Sequence, residues 1–174
     1  NVFKNNNYFG IGYYTKKCEK LLTNQLKSPN VLLTDSCTSS LEIAALLIKN
    51  SNKNEIIVPS YTFTSTASAF LKNNFKIVFA EIDKKTLMLD YEDVRKKINI
   101  KTRAIVVVHY GGMACEIIKF RKICKEKNIL LIEDCAQGFG CKINKSALGT
   151  IGDIGCFSFH QTKNIHSGLG GAIY

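Results

Sequence analysis

Short apolar runs alternate with amphipathic stretches along most of this chain, and few folds are compatible with that alternation. The apolar run at residues 105–108 is Ile-Val-Val-Val, and its β-branched side chains predict a strand that is buried on both faces. The stretch after it, residues 116–127, has apolar residues at helical spacing. Repeated units of this kind predict an α/β domain with a largely parallel sheet flanked by helices.

The same criteria divide the rest of the chain. They predict a first helix capped by Thr15, with an apolar face of Cys18, Leu21, Leu22 and Leu26. Further helices are predicted at 36–48, 62–71, 91–98 and 116–127, and strands at 31–33, 56–58, 77–80, 105–108, 129–132, 155–159 and 171–174. We expect the last strand to be unpaired, residues 5–7 to form an irregular lead-in, and residues 1–174 to form one domain with no second domain.

Length and composition exclude several classes of protein. A chain of 174 residues with 45% hydrophobic and 22% charged residues can bury one core, which excludes a disordered tail or a disulfide mini-protein. The net charge of +10 is carried by scattered lysines without a basic tract, so we expect no nucleic acid and no membrane as partner. Seven cysteines without a Cys-x-x-Cys pair favour a reduced, cytoplasmic compartment, and no metal site is expected.

The first of three polar clusters is Ser36-Cys37-Thr38-Ser39-Ser40, which ends a strand and opens a helix. The N–H groups and the dipole at such a helix start favour an anion such as phosphate. An ordinary serine-rich helix cap is the alternative explanation.

The second cluster, Glu133-Asp134-Cys135-Ala136-Gln137, follows the apolar run at 129–132. Ligands of α/β sheets bind beyond the carboxyl ends of the strands, so we expect Asp134 and Gln137 to reach a ligand there. A solvated acidic turn remains open as the alternative, more for Glu133 than for Asp134.

The third cluster spans residues 156–164 and is followed by the glycine-rich stretch 168–171. Its Lys163 suits covalent chemistry with a carbonyl group if the amine can lose its proton, although most lysines are simply solvated. A phosphate site, an acid after a strand and a reactive lysine in one α/β sheet together suggest an enzyme that uses pyridoxal 5'-phosphate (PLP).

These clusters belong to longer runs that resemble the DegT/DnrJ/EryC1/StrS family of sugar aminotransferases. The runs have the order and spacing of that family over nearly the whole chain, and they are residues 36–42, 59–63, 108–111, 133–137 and 155–164. Within the family the resemblance is greatest to dTDP-4-amino-4,6-dideoxygalactose transaminases. It implies the N-terminal part of a fold type I, PLP-binding large domain, truncated before the C-terminal small domain.

The resemblance also implies roles for individual residues. Lys163 and Asp134 are the implied catalytic residues: Lys163 binds PLP covalently and moves a proton, and Asp134 pairs with the pyridine nitrogen. Further cofactor contacts are implied for the phosphate-binding Thr38, Ser39 and Ser158 and for the ring-contacting Phe63 and Gln137.

The implied reaction moves an amino group from L-glutamate to a 4-keto-6-deoxy nucleotide sugar resembling dTDP-4-keto-6-deoxyglucose, in cell-surface polysaccharide or amino-sugar biosynthesis. The full-length enzyme is expected to be a homodimer. His109, Tyr110, His160 and Asn164 are open between ligand contact and purely structural roles.

Three other functions remain as alternatives. A related 3-dehydratase is disfavoured because those enzymes carry histidine where this chain has Lys163. An inactive PLP-binding fragment or a regulatory binding module is compatible with the truncated ends. A dinucleotide-binding dehydrogenase is disfavoured because no G-x-G-x-x-G follows a strand and opens a helix.

Overall fold

The computed structural model of the chain describes residues 11–174, so the predicted lead-in at residues 5–7 lies outside the described residues. Its strands are β1 (Leu32–Thr34), β2 (Glu55–Pro59), β3 (Lys76–Ala80), β4 (Thr102–Val108), β5 (Leu130–Cys135), β6 (Lys142–Ile143), β7 (Ser146–Ala147), β8 (Ile154–Ser158) and β9 (Gly171–Ile173). Its helices are α1 (Tyr13–Leu26), α2 (Cys37–Leu47), α3 (Ser65–Leu71), α4 (Tyr91–Lys97) and α5 (Ile117–Lys127).

Seven of these strands form one sheet in the order β1-β9-β8-β5-β4-β2-β3, and β6 and β7 form a separate hairpin. All neighbouring pairs from β8 to β3 are parallel, which confirms the predicted α/β fold with a largely parallel sheet. The prediction that the last strand is unpaired is wrong. Strand β9 is buried between β1 and β8 and pairs antiparallel with both. The first strand of the sheet, β1, covers the edge of β9 that would otherwise be free.

The helix boundaries agree with the sequence to within one residue except at the starts of α1 and α3, and α3 begins at Ser65 rather than at residue 62. Helix α2 begins after Ser36, as predicted, and the Ser36 hydroxyl accepts a hydrogen bond from the Ser39 N–H at 3.1 Å. Helix α1 begins before Thr15, with Gly12 at its N-cap position, so the predicted cap is wrong. Only part of its predicted apolar face is buried: Leu22 and Leu26 pack inward, while Leu21 and Cys18 are exposed.

Burial on both faces of the sheet is confirmed. Alternate residues of β4 point to opposite faces, with Val106 in the cluster that includes α2 and α3, and Val107 in the cluster that includes α4 and α5. A third cluster packs α1 against β8 and β9, with the Phe139 ring edge-on to Phe157 at a centroid distance of 5.6 Å. None of the helices in residues 11–174 has the length and apolar character that crossing a bilayer requires.

The order of the strands reverses between β2 and β4. The chain passes from β2 outward to β3 and then returns to the other side of β2 to form β4, β5 and β8. The loops at the carboxyl ends of β2 and β4 consequently diverge to opposite faces. Ligand sites in open α/β sheets lie at such reversals, so this edge is where a site is expected.

Candidate active site

A cavity of about 440 Å³ opens at the carboxyl ends of β2, β4, β5 and β8. Its volume falls in the range of about 300–1,000 Å³ that is usual for small-molecule sites. The three polar clusters of the sequence meet there. Six of the seven residues predicted to bind a cofactor line the cavity: Thr38, Phe63, Asp134, Gln137, Ser158 and Lys163.

Asp134 lines this cavity and is only 4% exposed. Its Oδ2 accepts a hydrogen bond from the Thr66 hydroxyl at 2.8 Å, and its Oδ1 accepts one from the Ala136 N–H at 3.0 Å. The Cys37 Sγ lies 3.9 Å from Oδ1. The carboxylate is therefore oriented by donors on both oxygens and remains part of the cavity wall.

Burial raises the pKa of Asp134 above its ordinary value. Hydrogen bonds from Ala136 and Thr66 and the charges of His109 and Lys163 act in the opposite direction. A cationic N–H group placed against this carboxylate would favour its ionised form further, because the opposite charge compensates for the lost hydration.

The start of α2 forms another wall of the cavity. Ser36, Cys37 and Thr38 line it, and the N–H groups of Cys37 and Thr38 have no acceptor within the helix because they belong to its first turn. Ser158, at the end of β8, adds a hydroxyl from the neighbouring strand. This combination of N–H groups, hydroxyls and a positive helix end suits an anion.

Ser39 is the one predicted cofactor residue that the structure does not place on the cavity wall. Its N–H donates to the Ser36 hydroxyl at 3.1 Å, and its own hydroxyl lies 3.1 Å from the same atom. Within residues 11–174 its polar groups thus stabilise the helix start. Ser36, which we did not predict as a site residue, lines the cavity instead.

Lys163 lies half-buried in the loop between β8 and β9, and it is the one lysine of the described chain that lines the cavity. The backbone N–H of Lys163 donates to the His160 carbonyl at 2.9 Å, and the His160 Nδ1 lies 2.9 Å from the Thr162 hydroxyl. His160 lines the cavity as well. Asn164 does not, because its side-chain amide donates to the Phe139 carbonyl at 3.0 Å.

Three aromatic side chains, Tyr61, Phe63 and Tyr110, line the cavity. Of these, Phe63 is 75% exposed. The Tyr61 and Tyr110 hydroxyls lie 3.0 Å apart and the ring centroids 5.1 Å apart. Sequence reasoning assigned no role to Tyr61, although it stands within the run 59–63 that carried the resemblance. Gln137 also lies here, accepting the Gly111 N–H at 2.8 Å.

Glu133 forms no solvated turn, which corrects one alternative left open by the sequence. It lies inside β5, fully buried, because this strand extends three residues beyond the apolar run. Its oxygens accept the N–H groups of Gly149, Ile151 and Gly152, and the His109 Nε2 lies 2.9 Å from its Oε2. His109 is fully buried and does not line the cavity; it connects the end of β4 to Glu133 on β5, and its Nδ1 accepts the Cys115 N–H at 3.3 Å.

Comparison with known proteins identifies relatives of this arrangement. The sequence profile of the DegT/DnrJ/EryC1/StrS aminotransferase family matches residues 1–174. A GDP-perosamine synthase from Vibrio cholerae is 36% identical over 162 residues, which cover 93% of this chain and 44% of that protein. The chain thus spans less than half the length of this curated relative.

Two solved structures superpose on nearly the whole of this chain. An aminotransferase from Brucella abortus, described by the same family name, superposes with a TM-score of 0.91 at 25% identity, covering 99% of this chain and 48% of the other. A GDP-4-keto-6-deoxymannose-3-dehydratase with a trapped PLP-glutamate geminal diamine superposes with a TM-score of 0.86 at 28% identity, covering 93% and 44%.

Proposed function

Since this chain belongs to the DegT/DnrJ/EryC1/StrS aminotransferase family, we propose that it forms the PLP-binding part of an aminotransferase acting on nucleotide sugars. The amino donor in this proposal is L-glutamate, and the acceptor is a 4-keto-6-deoxy sugar linked to a nucleotide such as dTDP. The product would serve in the biosynthesis of cell-surface polysaccharides or other amino sugars. Residues 1–174 would be the N-terminal part of the large domain of a homodimeric enzyme.

One observation carries the proposal: a single cavity contains a buried acid, an amine and a helix N-terminus. The cavity is lined by Asp134, Lys163 and Thr38, which come from three separate segments of the chain. An acid and an amine in one cavity supply the proton-transfer groups that a transamination needs. The helix start supplies a site for a phosphate group.

The residues present fit PLP. A pyridine nitrogen that carries a proton matches the Asp134 carboxylate, which is buried and has no cationic partner among the hydrogen bonds of the described chain. A phosphate matches the α2 N-terminus with the hydroxyls of Ser36, Thr38 and Ser158. When bound, PLP supplies an electron-accepting ring that stabilises negative charge on the substrate carbon.

Lys163 would carry out the proton transfers. Its amine Nζ would hold the cofactor covalently before an amino donor arrives. Once released, the same amine would take the proton from the glutamate carbon that bears nitrogen. In the second half-reaction it would deliver a proton to the former keto carbon of the sugar. The net exchange converts glutamate to its 2-keto acid and the keto sugar to an amino sugar, so no external oxidant is required.

The other cavity residues would bind and orient. Asp134 would hold the ring nitrogen in its N–H form, and Phe63 would cover one face of the ring and reduce the access of water. Gln137, fixed through its oxygen to the Gly111 N–H, would keep its amide group available to the cofactor. The Ser158 hydroxyl would donate to the phosphate.

The 3-dehydratase reaction is the second candidate, since one similar structure is named as such an enzyme. Transamination is favoured because the amine of Lys163 lines the cavity, whereas the resemblance implies histidine at this position in the dehydratases. Assaying both products from one keto sugar distinguishes the two reactions.

The first test is covalent binding of PLP. We expect the purified protein with PLP to show a visible absorption band and, after borohydride reduction, a PLP adduct at Lys163 that peptide mass spectrometry locates. The Lys163→Ala variant should lose the band and at least about 10³-fold of any transaminase activity, because both the attachment and the proton transfer depend on this amine.

Lys122→Ala is the matched control, since Lys122 is exposed on α5 and does not line the cavity. It should retain the band and the adduct. An adduct that is absent from the wild-type protein, or equally present in Lys163→Ala, would contradict the proposed site. Incubation with L-glutamate and dTDP-4-keto-6-deoxyglucose then tests the substrates.

A further inference from the structure

Two threonine hydroxyls are hydrogen-bonded in series to the Asp134 carboxylate. The Thr66 Oγ1 lies 2.8 Å from the Asp134 Oδ2, and the Thr62 Oγ1 lies 2.8 Å from the Thr66 Oγ1. Thr66 is fully buried on α3, and Thr62, four residues earlier in the loop before this helix, lines the cavity. The hydrogen bonds therefore join two residues of the cavity wall, Thr62 and Asp134, through the buried hydroxyl of Thr66.

When Asp134 is ionised, the donor and the acceptor of both hydrogen bonds are determined. A carboxylate accepts hydrogen bonds only, so the single proton of the Thr66 hydroxyl points to Oδ2. The Thr66 oxygen is then the acceptor for the Thr62 proton. Protonation of Asp134 on Oδ2 would reverse both hydrogen bonds, and the Thr62 hydroxyl would then need another acceptor.

We propose that Thr66, supported by Thr62, is a positioning residue that fixes the Asp134 carboxylate toward the cavity and favours its ionised form. Its relevance to catalysis rests on the proposed function, in which Asp134 must be an anion to hold a protonated ring nitrogen. The effect of Thr66 on the carboxylate does not rest on the proposed function, because the hydrogen bonds are made within the protein.

The need for such a residue follows from where Asp134 lies. Burial disfavours the anion, and within residues 11–174 only the Thr66 hydroxyl and the Ala136 N–H donate to the carboxylate at ordinary hydrogen-bond distance. The other titratable groups around it are His109 beyond β4, Lys163 after β8, Cys37 at the start of α2, Glu133 and Cys135 on β5, and Cys156 on β8. The charges of His109 and Lys163 lower the pKa of Asp134 and so favour the anion.

The test measures the carboxylate itself, in the full chain without PLP. We would follow the side-chain ¹³C signal of Asp134 against pH, identified by its loss in Asp134→Asn. Thr66→Val keeps the shape of the side chain but removes the donor, and it should raise the pKa of Asp134 by about one to two units. Thr66→Ser should keep it near the wild-type value. Thr64→Val is the matched control, because Thr64 is exposed and makes no capping hydrogen bond.

Thr62→Val provides a second variant if Thr66→Val does not fold, and it should raise the same pKa by a smaller amount. The PLP dissociation constant should increase about tenfold or more in Thr66→Val and return with Thr66→Ser. An Asp134 pKa unchanged in Thr66→Val, or in Thr62→Val if that is the folded variant, would overturn the inference. A shifted pKa without any PLP binding in the wild type would instead overturn the proposed function and leave the positioning role supported.

Discussion

Glu133 and Asp134 are adjacent acids that the strand places in different surroundings. Successive side chains of a strand point to opposite faces, so Glu133 meets His109 and the loop before β8 while Asp134 meets Thr66 and the cavity. Among the described residues, four groups contact the Glu133 carboxylate, two on each oxygen, and they tie it to His109 and to the loop before β8. In the described part of the chain, Asp134 has two donors at ordinary distance and a cavity beside it, so of the two acids it is the one that a ligand in the cavity can reach.

Replacing Asp134 with asparagine should separate stability from cofactor binding. A folded-state pKa above the unfolded value means that ionisation of Asp134 destabilises the fold, so stability should fall as pH rises through the folded pKa. The asparagine variant lacks this loss. Without PLP its Tm should therefore exceed that of the wild type by an amount that grows from acid to neutral pH.

The same variant should bind PLP about 10- to 100-fold more weakly, because a charged hydrogen bond to the ring nitrogen is lost. Thermal unfolding between pH 3 and 8 and fluorescence titration with PLP measure the two effects. A Tm difference that is constant across this pH range would show that Asp134 titrates normally in the folded protein.

At the scale of the element, the start of α2 serves both the helix and the cavity. The Ser36 hydroxyl caps the helix by accepting the Ser39 N–H and at the same time lines the cavity. Helix α4 offers a comparison, since the Asp90 carboxylate caps it by accepting the Asp93 N–H at 2.7 Å, away from the cavity. The two caps allow the structural and binding contributions to be separated.

Ser36→Ala should cost about 1 kcal/mol of unfolding free energy through the lost cap. It should also weaken PLP binding several-fold, because one hydroxyl and the order of the first turn are lost at the phosphate end. Asp90→Ala should cost a similar free energy and leave the PLP dissociation constant unchanged. Denaturant titration and PLP titration of both variants measure this, and equal weakening of PLP binding in the two would exclude a local role for Ser36.

At the scale of the whole molecule, β9 joins the first segment of the chain to the last. It lies between β1 and β8 and packs against the start of α2. A side chain at Gly171 would place a Cβ atom 2.4 Å from the Ser36 carbonyl carbon, so the close approach of β9 to α2 requires glycine there. The geometry of the cavity thus depends on residues 135 positions apart in the sequence.

Gly171→Ala should destabilise the protein by roughly 1–3 kcal/mol, because backbone atoms must move to admit the methyl group. It should also weaken PLP binding, since the displaced atoms belong to the phosphate end of the cavity. Gly138→Ala is the control: its added Cβ would meet neighbours no closer than 3.5 Å, an ordinary contact. If both variants unfold at the same denaturant concentration, β9 does not set the position of α2.

The roles of Lys163 and Asp134 come from the family resemblance and stay predictions. The order of strands and helices along the chain, apart from the hairpin of β6 and β7, and the largely parallel sheet could be predicted from the sequence itself. Local patterns contain this information, because strand burial and helix amphipathicity repeat at fixed short periods. The pairing of β9, the burial of Glu133 and the Thr66 hydrogen bond could not. Each depends on contacts between distant segments, such as the 68 residues that separate Thr66 from Asp134, and no local period encodes such contacts.

By itself, then, the sequence determined the fold class and the kinds of side chain that stand at the strand ends. Only the tertiary structure decided which of them share a cavity: Ser36 faces it and Ser39 does not, and Asp134 faces it while Glu133 is enclosed. The reason is that a side chain's neighbours are set by sheet order and by the crossing of helices over strands. These are properties of the packed chain as a whole, and they convert dispersed polar residues into one site.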